Sequence, residues 1–289
     1  MRCLIDADVL RYECGFASQF VNENGEEVIR DGEFACHLLD ERVRDIEIAC
    51  EADEPSILYM TDDVYLNSRV NRKRKREGLE PLPFVPNFRY DVAVSRPYKE
   101  RTGKKPFHYK NLTAHILDHY ETRIVGGIEA DDALCIDGYK QRGIVICSRD
   151  KDLRQVPAIH YSWECGKQRE WGPFKVAGLG HVEKKEKGGI FGYGPMFFYA
   201  QMITGDVVDS IPGLPRGGPA LAEKLLTGCS SEQQMFRAVS EAYAEKLGEG
   251  WEHYFEEQAK LLWMIREVDE NGLPKHWEWP SYPVSIGED

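Results

Sequence analysis

Short apolar runs alternate with longer stretches of helical spacing through the first half of the chain. Residues 2–5 are an apolar run too short for a helix and predict a strand. Phe34, Leu38, Val43, Ile46 and Cys50 recur at helical spacing and predict a helix over 33–50. Residues 56–60 predict a second buried strand, after which 64–110 loses periodicity, gains Pro and basic side chains, and predicts an extended excursion. The pattern then returns: helix over 110–122, strand over 123–125, helix over 130–141 ended by Gly143, strands over 144–147 and 158–163. W-E-C-G-K-Q-R-E-W, residues 163–171, predicts a hairpin around Cys165 and Gly166. From about Gly194 the spacing is helical with Gly and Pro interruptions, predicting helices over 196–203, 218–226, 231–246 and 251–268.

Alternating strands and helices predict an α/β fold, a parallel sheet with helices on both faces. In such sheets functional groups collect beyond the carboxyl ends of the strands. Asp6, Asp62, Glu129 and Asp150 each sit just past an expected strand end, and that shared placement says more than any one acid.

The 289 residues allow one large domain or two small ones, and 42% hydrophobic content is ample for a core. No apolar stretch approaches the length of a membrane span, and no basic-then-apolar leader opens the chain, so a cytoplasmic, non-membrane protein is expected. The eight cysteines show no C-x-x-C pair and read as reduced thiols, not zinc ligands or disulfides. A net charge of −12 argues mildly against a DNA partner. Its distribution argues the other way: between Arg69 and Lys110 there are 13 Lys and Arg against 4 Asp and Glu.

The acids fall in five clusters: Asp6; Asp62; Glu129, Asp131 and Asp132 in I-E-A-D-D-A; Asp150 and Asp152 in S-R-D-K-D-L; Asp206 and Asp209 in G-D-V-V-D-S-I-P-G. Any one cluster is explained by helix capping or by a surface carboxylate. All five in one fold would carry more negative charge than a dry site holds without cations. Hard oxygen ligands suit magnesium, and two such ions can stabilise both the attacking and leaving oxygens of a phosphodiester displacement. The Gly-rich turn in 211–226 exposes backbone N–H groups and a helix N-terminus, which can hold a phosphate, with Gly213 and Gly218 the candidate contacts. The stretch 88–106 interleaves Tyr with Lys and Arg, a mixture suited to backbone charge plus base stacking on a single strand. Arg96, Tyr98, Lys99, Arg101, Lys104 and Lys105 are its candidate DNA contacts, and Lys99 and Arg101 could stabilise charge on the scissile phosphate.

L-I-D-A-D, L-Y-M-T-D, Y-K-E-R, I-E-A-D-D-A, C-S-R-D-K-D-L and G-D-V-V-D-S-I-P-G followed by G-G-P-A-L-A-E-K-L-L occur in that order between Asp6 and about Leu226. Together they resemble the flap endonuclease and 5′-exonuclease family of PIN-like nucleases, and within it the bacteriophage 5′-exonucleases. The resemblance implies a PIN-like α/β nuclease core over 1–175 with a helical arch or clamp inserted at about 64–110. It also implies a helical region over 190–289 with a DNA-binding helix–three-turn–helix at about 203–226. It implies two Mg2+ ions, replaceable by Mn2+. The first would use Asp6, Asp62, Glu129, Asp131 and Asp150 or Asp152, with Asp132 acting through water; the second would use Asp152, Asp206 and Asp209. Lys99 matches the catalytic Lys of the arch, Tyr98 beside it becomes a stacking residue, and K+ is implied at the helix–three-turn–helix. Two positions depart from the pattern: Arg101 follows Lys99 one residue too soon, and Arg216 and Gly217 stand where a Gly and an apolar residue are common. The implied activity is metal-dependent hydrolysis of DNA from 5′ ends and at 5′ flaps by a monomer, leaving 5′ phosphates. The alternatives are an inactive DNA-binding relative, or a haloacid-dehalogenase-like phosphatase built on Asp6, Asp8 and Thr61.

Overall fold

In the computed structural model, residues 1–100, 103–186 and 188–281 are described. In chain order the elements are β1 (Arg2–Asp6), α1 (Ala7–Ala17), β2 (Gln19–Val21), β3 (Glu27–Ile29), α2 (Gly32–Ala49), β4 (Ile57–Thr61), α3 (Val64–Arg76), α4 (Arg89–Val92), α5 (Tyr109–His119), β5 (Glu121–Val125), α6 (Ala130–Gly138), β6 (Ile144–Cys147), β7 (Ile159–Ser162), β8 (Trp171–Lys175), β9 (His181–Lys184), β10 (Ile190–Tyr193), α7 (Pro195–Thr204), α8 (Pro219–Leu226), α9 (Glu232–Leu247) and α10 (Trp251–Leu262). The chain divides into two compact units. One holds Met1–Asn87, Gly103–Asp150 and Ile159–Phe174; the other holds Phe88–Thr102, Lys151–Ala158 and Lys175–Asp289.

The first unit is built on a sheet of order β5-β4-β1-β6-β7-β8, parallel from β5 through β7. Its central strands β1, β4 and β6 are buried on both faces, which is why they read as continuous apolar runs. Cys3, Ile5, Leu58, Met60, Val145 and Cys147 join one core with residues of α1, α2 and α5. α6 packs on β1, β4 and β6, and its Gly138 lies so close to Ile146 that an added Cβ would meet that side chain at 2.5 Å. The chain starts at β1, moves out to β4 and β5 on one side, then returns through α6 to β6 on the other. β1 is therefore the switch point, and the crevice at its carboxyl end is where such a sheet offers a site.

The expected strands and helices of this unit occur, with shifts of one to three residues at most ends. Residues 64–76 are a correction: they are helical, not extended. Only Leu66 of α3 is buried, so apolar periodicity is absent. The helix is fixed instead by its polar groups. Asp63 caps its start by accepting from Leu66 N at 2.8 Å, and Lys73, Arg74, Lys75 and Arg76 face the negative end of the helix dipole. Asn71 pins the following loop to the helix through two 2.8 Å bonds with the Leu82 backbone.

The second unit is helical around a core that includes Phe197, Phe198, Ile203, Phe236, Tyr243 and Phe255, with the β9–β10 hairpin beside it. α7 and α8 are joined by tight turns over 205–218. Gly213 has φ +67 and lies against Gly205, where a Cβ would meet the Gly205 amide nitrogen at 2.3 Å. α10 ends at Leu262, earlier than its spacing predicts, because the buried Arg89 guanidinium takes the Leu261 and Trp263 carbonyls at 3.0 and 2.9 Å.

Candidate metal centre

Asp6 ends β1 and caps α1, accepting from Val9 N at 3.1 Å. Its carboxyl is 1% exposed and accepts from Ser148 Oγ at 2.7 Å. The carboxyl of Asp131 lies within hydrogen-bonding reach of it. Burial, with Asp8 nearby as a second contribution, raises the Asp6 pKa to about 6. Two carboxyls this close share a proton or are bridged by a cation. Ser148 also accepts the Asp150 amide at 3.0 Å, so one hydroxyl at the end of β6 ties Asp6 to the Asp150 backbone.

Asp62 follows β4. One of its oxygens accepts from Asn67 Nδ2 at 3.0 Å, while Oδ1 is buried without a hydrogen-bond partner. Burial is the largest cause raising its pKa. Glu129 and Asp132 form a capping box at the start of α6, and Asp132 is fully buried there, accepting from Glu129 N at 3.3 Å. Thr61 Oγ1 accepts from Ala130 N at 2.8 Å, fastening the start of α6 to the end of β4. Asp8 is held by Arg11 and by Thr61 N at 3.0 Å.

The first unit thus gathers Asp6, Asp62, Glu129, Asp131, Asp132 and Asp150 at one end of its sheet. Among the described residues, however, no three carboxylates bring ligand oxygens within 4.8 Å of one another. The donor chemistry fits a hard divalent cation: all-oxygen ligands, an orphaned buried oxygen on Asp62, and a carboxyl pair at Asp6 and Asp131. The spacing requires waters to complete the shell, which magnesium ordinarily retains.

The remaining acids lie in the second unit, each against a lysine. Lys151 Nζ bonds Asp152 at 2.8 Å and also bonds the buried Asp206. Gln201 Nε2 adds a 2.7 Å bond to Asp152. Asp206 Oδ1 accepts from Val208 N at 2.8 Å, folding the turn back on itself. Asp209 accepts from Tyr98 OH at 3.2 Å, with Lys99 Nζ at 3.9 Å.

The sequence-derived DNA contacts fare differently from one another. Arg96, Lys104 and Lys105 are exposed, with Lys105 paired to Asp63 at 2.6 Å. Tyr98 is only 4% exposed, with its ring edge-on to Tyr90. The Gly213 amide donates to Gln258 Oε1 at 2.9 Å, whereas an added Cβ at Gly218, before α8, would meet nothing. Arg101 lies outside the described residues. A cavity of about 810 Å³ is lined by Arg69, Arg72, Lys73, Arg76, Leu117 and Asp118, among others. Sequence reasoning missed Ser148, Asn67 and Lys151. The first two carry no motif of their own, while Lys151 lies inside D-K-D, where a cation between two acids was a readable signal.

No helix among the described residues is long and apolar enough to cross a membrane. No protein-family model and no curated protein matches the chain. Among solved structures it is similar to a bacteriophage T5 flap endonuclease pseudo-enzyme–product complex with DNA and metal ions, at 13% identity and TM-score 0.45, over 90% of this chain and 98% of that one. The bacteriophage T5 protein co-crystallised with metal ions matches at 13% identity and TM-score 0.44, over 90% of this chain and 98% of that one. Bacteriophage T5 5′-exonuclease with zinc bound matches at 13% identity and TM-score 0.38, over 91% of this chain and all 100% of that one.

Proposed function

We propose that this chain is a divalent-metal-dependent 5′ nuclease acting on DNA, of the flap endonuclease and 5′-exonuclease family. One observation supports it above the others. At the switch point of a parallel sheet, the buried Asp6 carboxyl meets that of Asp131, and one serine ties it to Asp150. Such a pair of acids is stable at neutral pH only with a proton or cation between them.

Asp6, Asp62, Glu129, Asp131 and Asp150 would hold one ion, with Asp132 reaching it through water, and Asp152, Asp206 and Asp209 a second. Mg2+ is the natural occupant and Mn2+ a substitute. Bound there, the ions would make coordinated water a better nucleophile and offset charge on the scissile phosphate. The chain supplies the rest. Ser148 fixes the Asp6 carboxylate and the backbone of Asp150. Asn67 orients Asp62. Lys99 is offered to the phosphate at the cost of its contact with Asp209, with Arg101 as its neighbouring cation. Arg96, Lys104 and Lys105 track a strand backbone, and Tyr98 stacks on a base if its packing on Tyr90 opens. The turn over 205–218 and the start of α8, including Gly213 and Gly218, hold duplex backbone with K+. The products carry 5′ phosphates and the working unit is a monomer.

The test is cleavage of end-labelled single-stranded, duplex and 5′-flap DNA with and without Mg2+. Digestion from 5′ ends that needs Mg2+ and disappears in Asp150→Asn, with DNA binding kept, supports the reading. Full activity of Asp150→Asn, or DNA binding without cleavage under any metal condition, overturns it.

A further inference from the structure

Three of the eight cysteines meet in the core of the first unit, far apart in sequence. Cys3 lies on β1 and Cys147 on β6. Cys3 is in register with Val145, two residues before Cys147, so both sulfurs leave the same face of the sheet. Cys50, the residue that ends α2, comes down onto that face. Cys50 Sγ and Cys147 Sγ are 3.8 Å apart, and all three sulfurs lie within 4.8 Å of one another. All three residues are 0% exposed.

We propose that Cys3, Cys50 and Cys147 form a three-coordinate sulfur site for a soft monovalent cation of the Cu(I) class. The size fits. Three sulfurs around a central ion at metal–sulfur distances of about 2.3 Å stand about 4 Å from each other. The donor count decides against zinc, whose structural sites take four ligands. Among the described residues no His, Asp or Glu ligand atom joins the three sulfurs, and a fully buried position leaves no open side for water. Thiolate sulfur is the ligand that selects Cu(I). S–H donation from Cys147 and then Cys50 pulls the Cys3 thiol down to about 4, while burial pushes Cys147 up. Binding forms three metal–thiolate bonds, on Cys3, Cys50 and Cys147, each made as that sulfur gives up its proton. Nothing is oxidised, and the protons displaced from the thiols leave to buffer.

The experiment uses the reduced full-length protein with Cys36, Cys165 and Cys229 changed to Ser, because these partly exposed thiols would bind Cu(I) by themselves. Cu(I) is supplied anaerobically from a competing chelator, both to the native protein and during refolding, since the site is closed. The expected result is one Cu(I) per chain, three sulfur neighbours by X-ray absorption, and a raised thermal midpoint. Cys50→Ser, with its fold verified by circular dichroism, is expected to weaken uptake at least tenfold. Absence of uptake by both routes, or uptake unchanged in Cys50→Ser, overturns the proposal.

Discussion

Ser148 donates a 2.7 Å hydrogen bond to the buried carboxylate of Asp6. Residues that hold a metal ligand in place typically matter 10- to 100-fold for affinity. Ser148→Ala is therefore expected to weaken Mg2+ binding by about that factor, while costing only about 1–3 kcal/mol of stability. Calorimetric Mg2+ titration beside urea denaturation checks both. Unchanged affinity would remove Ser148 from the site.

Asp6 makes the metal-free protein sensitive to pH. Its pKa rises from 3.8 in the unfolded chain to about 6 in the fold, first through burial and then through Asp8. The folded state thus holds this proton more tightly than the unfolded state. Its contribution is complete below about pH 4 and is lost as pH rises through 6, amounting to about 3 kcal/mol. Denaturant midpoints in chelator should fall across that window relative to Asp6→Asn, which lacks the titration. Mg2+ needs the ionised carboxylate, so its stabilising effect should grow over the same range more steeply in the wild type than in Asp6→Asn. Parallel pH profiles for the two proteins would refute this.

Strands β1, β4 and β6 and the acids that follow them were legible because a doubly covered parallel strand leaves an unbroken apolar run, and the first polar residue after it marks the sheet edge. α3 was not. Its helix is held by Asp63, Asn71 and basic side chains that cover little apolar surface, so a hydrophobic period has nothing to register. The early end of α10 depends on Arg89, more than 170 residues away in the chain, and long-range capping leaves no local trace. The same holds for the three core cysteines, whose spacings of 47 and 97 residues match no metal motif. Ser148 shows the limit at the site itself, because a hydroxyl two positions before Asp150 gains its role only once β1 lies beside β6.

Lys151 serves as the cation for Asp152 and Asp206. The Asp206 side chain is only 4% exposed, so removing the lysine leaves its charge poorly compensated, whereas Lys151 is 42% exposed and partly screened. Lys151→Met is expected to cost about 1–2 kcal/mol in chelator, less than a fully buried pair would. If these acids bind a divalent ion, Mg2+ should restore much of the loss, and more than it adds to the wild type. Thermal midpoints in chelator and in Mg2+ make the comparison; an equal gain in both proteins would show that no ion binds there.

The basic face of α3 offers charge without a stacking surface, so it should contribute to DNA binding through phosphates alone. Arg72, Lys73 and Arg76 line the same cavity beside Leu117 and Asp118. Each phosphate contact releases condensed counterions and steepens the dependence of affinity on salt by about 0.9 for duplex and about 0.7 for single strands. Changing all three residues to Ala should lower the log–log salt slope by about 2–3 and weaken binding equally on unrelated sequences. Cleavage at saturating DNA should be nearly unchanged, because none of the three reaches the acids. Lys99→Ala should do the reverse, reducing turnover while altering the slope by no more than one contact. Measuring binding from low to moderate salt for both variants separates the two roles. A triple variant with the wild-type slope would place the DNA path elsewhere.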